Sequence, residues 1–201
     1  MKEVKIFISH ASDSETECQS VKNIITEETK NHFLSNEYIF KPICYKDIIP
    51  GRGQPQEEKI DPEIVDQNCR LIVLLLKNRL GTIQKDGKTG IEHEYELAKS
   101  LDKEIMIYHC DFYTQPSEIE PKQLQATNDF ILNVKNEGLI EDRILSVDEL
   151  CKIFRNKFSQ WANKFISSEI KVNEFRQYSK GFYLLRGIAE EHYSYPKVKE
   201  I

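Results

Sequence analysis

The sequence predicts an α/β protein organised around a parallel β-sheet. Residues 71–76 are six apolar residues without alternation, which is typical of a strand buried on both faces of such a sheet. Residues 104–110 have the same character, and residues 89–101 between them have the apolar spacing of a helix. Strand, helix and strand in this order form a βαβ unit, whose two strands run parallel.

The rest of the chain predicts further alternation of strands and helices. We expect strands at residues 4–10, 38–45 and 139–145, and helices at about 15–34, 61–68, 121–135, 147–166 and 167–201. Asp61 and Pro62 are expected to begin their helix as N-cap and first helical residue. About five strand–helix pairs then fill residues 1–166, which we predict to be one domain. Residues 167–201 are predicted to be a C-terminal helical extension or a linker to a partner domain.

Composition places the chain among ordinary globular proteins. It has 201 residues, of which 39% are apolar and 30% charged, and its net charge is −5. No basic stripe with interleaved aromatic residues is present, which argues against direct binding of nucleic acid. No signal peptide and no apolar segment of about 18 residues is found, so we expect no membrane partner. The five cysteines are scattered without a C-x-x-C pair, which suggests reduced thiols and a cytoplasmic location.

The helix at 89–101 carries one carboxylate on its apolar side. Thr89 and Glu92 fit a capping box, which gives Glu92 a structural role. On a helical wheel, Glu94 is the only charged residue inside the apolar arc of roughly 160°. That arc is formed by Ile91, Tyr95, Leu97, Ala98 and Leu101. A buried carboxylate needs a partner or a cleft, and in open α/β sheets ligands bind beyond the carboxyl ends of the strands. We therefore predict either a functional Glu94 or a Glu94 paired with Arg79 or a neighbouring Lys.

Other candidate sites have weaker signals. The turn Gly51-Arg52-Gly53 is basic, and it predicts contact with a phosphate, contact with a partner protein or an ordinary connection. His93 lies on the outward side of its helix and is expected to be solvated. Cys110 stands at a strand end, but the sequence shows no acid or base to activate it as a nucleophile. We therefore expect no metal site and no cysteine chemistry.

Two stretches resemble a known family. Residues 4–13 (VKIFISHASD) resemble the opening of Toll/interleukin-1 receptor (TIR) domains. Residues 71–82, followed by the pattern Thr89-Gly90-x-x-x-Glu94-x-x-x-Ala98, are similar to the prokaryotic TIR-like group. The resemblance covers about residues 4–165. It implies a flavodoxin-like fold with a five-stranded parallel sheet flanked by helices, which agrees with the elements counted above.

The resemblance also implies an enzymatic site. Enzymatic members of the group cleave the nicotinamide–ribose bond of NAD with one essential Glu on the third helix, and Glu94 matches that position. NAD is then the substrate, and no cofactor is required. The implied substrate-binding residues are Ser9, His10, Arg52, Arg79 and Tyr95, and the implied contacts between TIR domains use Gly51, Arg52 and Gly53. A carboxylate beside the ribose can stabilise the oxocarbenium-like transition state of this cleavage.

The chain departs from the group at two positions, and three functions follow from the resemblance. Ile91 stands where the group often has Ser or Thr, and the usual Trp near the Glu is missing, so Tyr95 or His93 would replace its stacking. The first expectation is an NAD+ glycohydrolase that releases nicotinamide and linear or cyclic ADP-ribose. It would act in bacterial anti-phage immunity, activated by self-association, with a partner protein or sensor domain at the C-terminus. The alternatives are a non-enzymatic TIR adaptor and, third, a nucleoside 2-deoxyribosyltransferase-like enzyme.

Overall fold

The computed structural model describes residues 2–36, 38–48, 57–136 and 140–192; residues 31–36, 57, 141–142 and 171–192 are described through their backbone alone. In these residues five strands alternate with five α-helices. The strands are β1 (Lys2–His10), β2 (Tyr38–Cys44), β3 (Cys69–Leu76), β4 (Glu104–Cys110) and β5 (Ile140–Ile144). The helices are α1 (Glu15–Asn36), α2 (Glu57–Val65), α3 (Gly90–Ser100), α4 (Pro121–Asn136) and α5 (Val147–His192).

The five strands form one sheet in the order β2-β1-β3-β4-β5, and every pair is parallel. This strand order is that of the flavodoxin-like doubly wound fold, in which helices cover both faces of the sheet. The predicted fold class is therefore confirmed. The order reverses direction at β1, so the carboxyl end of β1 lies at the switch point where open α/β sheets bind ligands.

Alternate residues of each strand serve opposite faces of the sheet. Phe7 belongs to a core that α2, α3 and α4 complete, and we call this side the α3 face. The helical members of that core include Ile60, Ile64, Ile91, Tyr95, Ala98, Phe130 and Val134. On the opposite side, the α1 face, Phe158 of α5 packs edge-on against Phe40 of β2 with ring centroids 5.5 Å apart. Glu28 of α1 accepts a hydrogen bond of 2.8 Å from Ser159 on the same side.

Helix α2 begins earlier than the sequence predicts. It runs from Glu57 to Val65 with Pro62 inside it, so Asp61 is not the N-cap and the predicted start at Asp61 is wrong. An interior proline removes one helical hydrogen bond. Ile60 and Ile64, four residues apart and 3% and 0% exposed, hold the turn against the core across that gap.

Helix α5 is longer than expected, because the predicted separate helix at 167–201 is a continuation of the helix that starts at Val147 and ends at His192. The chain divides into two compact units, Met1–Ser159 and Gln160–Ile201. The domain boundary predicted between residues 166 and 167 stays a prediction. Over the described parts of the chain, no helix has the length and apolar character that crossing a membrane requires.

Candidate functional site

Helix α3 starts with the capping box that the sequence predicts. The Thr89 side chain accepts a hydrogen bond from the backbone N–H of Glu92 at 3.4 Å, and the Glu92 carboxylate accepts one from the backbone N–H of Thr89 at 2.9 Å. These bonds satisfy donors of the first turn and fix its direction relative to the sheet. Glu92 is therefore held in a structural role, and Glu94, two residues later, is turned towards the sheet.

Glu94 is a buried carboxylate on the α3 face. Only 8% of the residue is exposed, and among the described residues no Lys or Arg forms an ion pair with it. Burial raises the pKa of Glu94 from 4.5 to about 7, an effect opposed by the Ser9 hydroxyl and by the charges of His10 and His93. The alternative pairing with Arg79 is not found, because Arg79 lies 3.9 Å from Glu120. Near neutral pH this carboxyl group therefore exists in both protonation states.

Ser9 occupies the end of β1 beside Glu94. The residue is 1% exposed, and its position opposite Leu74 of β3 places it on the α3 face. Its hydroxyl is close enough to lower the pKa of Glu94, although its Oγ meets the geometry of a full hydrogen bond with no described residue. A small rotation about χ1 redirects a hydroxyl of this kind, so it can donate to the carboxylate or to a ligand.

His10 follows Ser9 and points to the other face. Its Nδ1 lies 2.9 Å from the carbonyl oxygen of Ala11, and its ring packs against Tyr45 at 4.9 Å. The thiols of Cys18 and Cys44 are its neighbours, with all ligand atoms of the three residues within 4.8 Å of one another. The sequence indicated no metal or cysteine chemistry, and it missed this cluster because the three residues are far apart in the chain.

His93 is bound between two carboxylates rather than solvated. Its Nε2 lies 3.1 Å from Asp61 and its Nδ1 lies 2.8 Å from Asp86. Burial lowers the pKa of His93, but the hydrogen bonds to Asp86 and Asp61 outweigh it and raise the pKa above its ordinary value. Asp61 is thus a site residue that the sequence analysis missed, because its only local signal was that of a helix cap.

Of the remaining predicted site residues, the structure describes Tyr95 and Arg79. Tyr95 is 5% exposed and packs edge-on against Phe130 of α4 at 5.4 Å, so it serves the core. Arg79 lies in the loop after β3 and is half-buried in its pair with Glu120. Gly51, Arg52 and Gly53 lie outside the described residues.

Cys110 and the two described cavities contribute little to this site. Burial raises the pKa of the Cys110 thiol to about 12, which keeps it protonated and a poor nucleophile. One cavity of about 370 Å³ is lined by Lys77, Asn78 and Thr114 among others, and one of about 700 Å³ lies between α3 and α4. Neither cavity is lined by Ser9 or Glu94. The case for a site at Glu94 therefore rests on burial, charge and fold position.

Fold and site together define a doubly wound α/β domain with a buried carboxylate near its switch point, which no Lys or Arg of the described residues pairs with. Residues 5–159 match the family described as "Domain of unknown function (DUF4062)", and the chain belongs to that family. The resemblance to TIR domains remains a hypothesis beside this assignment. No curated protein sequence matches the chain.

Two solved structures are similar to the chain at low identity. The 2-desoxiribosyltransferase from Leishmania mexicana is 16% identical with a TM-score of 0.36, over 54% of this chain and 65% of that protein. The chain thus aligns with somewhat less than two thirds of the transferase. Oxidised flavodoxin 1 from Bacillus cereus is 17% identical with a TM-score of 0.36, over 80% of this chain and 95% of that protein. At this level neither likeness bears on function, and the fold class rests on the strand order itself.

Proposed function

We propose that the chain is an N-glycosidic enzyme that cleaves the nicotinamide–ribose bond of NAD, with Glu94 as its catalytic carboxylate. The observation that carries the proposal is the burial of Glu94 without an ion pair to any Lys or Arg of the described residues. An ion pair that served only stability would hold the pKa of the carboxyl group below its usual range, whereas the pKa of Glu94 is raised to about 7. A buried carboxyl group with a strongly raised pKa is typical of acid–base sites.

The chemistry suits a carboxylate that exchanges its proton near neutral pH. When the C1′–N bond of NAD breaks, its electron pair goes to the pyridinium nitrogen, and nicotinamide leaves as a neutral molecule. The ribose becomes oxocarbenium-like, and the ionised Glu94 would stabilise that positive charge. Water then attacks C1′ to give ADP-ribose, and Glu94 would accept the proton that the water releases.

Ser9 would position the ribose against Glu94. Its hydroxyl is buried and makes no hydrogen bond of good geometry among the described residues, so it can donate either to the carboxylate or to a sugar oxygen. His10, Arg79 and Tyr95 stay predicted substrate contacts. Arg52, with its flanking glycines, stays a predicted contact to the diphosphate or to a second copy of the domain.

The wider biological role follows only from the TIR resemblance. We propose that self-association raises the activity and that the protein acts in bacterial anti-phage immunity, with the C-terminal segment joined to a partner. Activity per molecule should then rise with protein concentration. The test is a dilution series of roughly hundredfold, the range that separates assembled from dispersed chains. A specific activity that stays constant across it would contradict activation by assembly, but it would leave the proposed cleavage reaction unaffected.

Incubating the purified full chain with NAD tests the reaction. We expect chromatography to show one nicotinamide released for each ADP-ribose formed, whether that product is linear or cyclic. Parallel incubation with a 2′-deoxynucleoside distinguishes the nucleoside enzyme, which would release the base from that substrate instead. If neither substrate is cleaved over a wide range of protein concentration, the enzymatic proposal is wrong and the adaptor role gains weight.

A further inference from the structure

Three side chains of the types that bind transition metals converge on the α1 face. His10 ends β1, Cys18 lies in α1, and Cys44 ends β2. Cys44 is in register with Ile8, two residues before His10, so both side chains lie on the same face of the sheet. The three residues are 5%, 1% and 0% exposed, and their ligand atoms all lie within 4.8 Å of one another.

The hydrogen bond of His10 to Ala11 fixes the tautomer of its ring. A carbonyl oxygen can only accept, so the 2.9 Å contact with Ala11 requires that Nδ1 carries the hydrogen. The neutral imidazole then has a lone pair on Nε2. This atom is fully buried and makes no hydrogen bond of good geometry with any described residue. Metal-binding histidines typically have this arrangement, with the other ring nitrogen donating to a carbonyl or carboxylate that fixes the ring.

Hydrogen-bond donors surround the Cys44 sulfur. It accepts a hydrogen bond from the backbone N–H of Asp47. The Cys18 thiol and the Lys22 ammonium group also lie within hydrogen-bonding reach of it. Donors of this kind orient a thiolate ligand once a metal ion is bound.

We propose that His10, Cys18 and Cys44 bind one Zn²⁺ ion. A tetrahedral ion with Zn–S bonds of about 2.3 Å and a Zn–N bond of about 2.1 Å places its ligand atoms roughly 3.8 Å apart. The ligand atoms lie within 4.8 Å of one another, so binding would draw them together by up to about 1 Å. Two sulfurs and one imidazole exclude the oxygen-seeking ions Mg²⁺ and Ca²⁺. Water would complete the coordination.

The charges balance when the ion binds. Cys18 and Cys44 each release a proton, and the two thiolates neutralise Zn²⁺. Lys22 is already neutralised by Asp47, whose carboxylate lies 2.6 Å from its ammonium group. A disulfide between Cys18 and Cys44 would use the same two sulfurs, but it would leave His10 Nε2 buried without a partner. The metal therefore accounts for all three side chains, and the disulfide accounts for two.

The proposed ion joins β1, α1 and β2 and does not depend on the NAD reaction. Glu94 and Ser9 lie on the opposite face, so the ion would fix the end of β1 from behind. It would give the His10 ring a structural role in place of the substrate contact that the resemblance implies. A preformed metal site rarely exists in an unfolded chain, so zinc would bind mainly to the folded state. Removing the zinc should therefore lower the melting temperature.

Titration of the full-length chain with Co²⁺ and Zn²⁺ tests the site. The protein is purified under reducing conditions and stripped with a chelator. We expect one Co²⁺ per chain with a thiolate-to-cobalt charge-transfer band, displaced by Zn²⁺, and a higher melting temperature on binding. Cys18→Ala and Cys44→Ala should each weaken binding roughly a hundredfold or more. Cys69→Ala and Cys110→Ala, which remove equally buried sulfurs, should leave it unchanged, and so should Glu94→Gln.

Absorption-edge spectroscopy of the zinc-loaded wild-type chain keeps the test independent of variants that fail to fold. Two sulfur ligands and at least one imidazole nitrogen are expected around the ion. The proposal is overturned if stoichiometric binding is absent, if the Cys69→Ala control loses the metal as readily as Cys18→Ala, or if mass spectrometry finds a Cys18–Cys44 disulfide under reducing conditions. Loss of NAD cleavage alone would not contradict the zinc site, because metal titration, melting temperature and absorption-edge spectroscopy do not measure that reaction.

Discussion

Ser9 and His10 are consecutive residues at the end of β1, yet they face different environments. On the α3 face, Ser9 lies beside Glu94, a carboxylate whose pKa burial raises to about 7. On the α1 face, His10 lies beside Cys18 and Cys44, where donors gathered around the Cys44 sulfur lower its pKa. Strand geometry alone separates the two environments, because successive side chains point to opposite faces.

The comparison shows that burial by itself does not set the ionisation of these groups. Glu94 and Cys44 are both buried, and their pKa values move in opposite directions. Glu94 receives few donors, so its neutral form is favoured, whereas Cys44 receives the Cys18 thiol, Lys22 and a backbone N–H. What differs is the number of donors that the surrounding elements direct at each group.

The largest expected effect is the loss of the α3-face carboxylate. Glu94→Gln should lower the rate of NAD cleavage by about two to three orders of magnitude while the fold persists, because it removes the charge that stabilises the transition state. Glu92→Gln is the matched control on the same helix, since Gln can still complete the capping box. Nicotinamide release measured by chromatography decides between them, and an equal loss in both variants would mean that the wrong carboxylate was assigned.

The same substitution should stabilise the fold at alkaline pH. The pKa of Glu94 is about 7 when folded and 4.5 when exposed, so the folded protein holds a proton that the unfolded chain has lost between these values. Stability therefore falls as pH rises from about 4.5 to 7, by roughly 3 kcal/mol in total. Glu94→Gln should remove that loss. Urea denaturation of the wild type and of Glu94→Gln at about pH 5 and pH 8 measures the change in their free energy of unfolding. If that change is the same in both proteins, the raised pKa of Glu94 is contradicted.

The Ser9 hydroxyl should set the acid limb of the activity profile. It lowers the pKa of Glu94, so Ser9→Ala should move the decline in kcat/KM to higher pH and reduce activity near neutral pH about tenfold. Ser159→Ala is the comparison on the other face, where the lost hydroxyl bonds Glu28 at 2.8 Å. It should cost stability and leave the profile in place. A profile that Ser9→Ala leaves unmoved would remove Ser9 from the site.

The smallest effect on activity is expected from removing His93, which pairs with Asp61 and Asp86 near Glu94. His93 lies between Asp61 and Asp86, whose hydrogen bonds outweigh its burial and raise its pKa, and its charged form lowers the pKa of Glu94. His93→Gln should therefore raise the pKa of Glu94 slightly and reduce activity near neutral pH by roughly two- to fivefold. Added salt should shrink the difference between the variant and the wild type. Glu96 lies on the same helix as His93 and forms an exposed pair with Lys88. Glu96→Gln, which breaks that pair, serves as the control and should have no such effect.

Much of this framework could be predicted from short stretches of sequence. The apolar runs predicted the central strands, and the strand at 104–110 agrees with β4. The Thr89 and Glu92 spacing predicted the capping box, and the helical wheel predicted that Glu94 faces inward. Each of these depends on residues within one or two turns of each other, which is the range over which periodicity and capping signals act.

The failures have one physical origin. Asp61 looked like a helix cap, but its partner is His93, 32 positions along the chain, and its helix begins at Glu57. Tyr95 stays a predicted substrate contact, but the sequence did not reveal that its ring packs edge-on against Phe130 of a different helix. Local patterns describe which way a side chain leaves its own helix. They carry no information about which residue of another element meets it there.

The sequence by itself determined the alternation of strands and helices, the parallel sheet and the inward direction of Glu94, because these depend on residue spacing along one element. Tertiary structure alone decided that β1 lies between β2 and β3, and therefore that Ser9 meets Glu94 while His10 meets Cys18 and Cys44. The three metal-type ligands come from three separate elements. Their convergence is a property of strand register and helix packing, which no local pattern in the chain encodes.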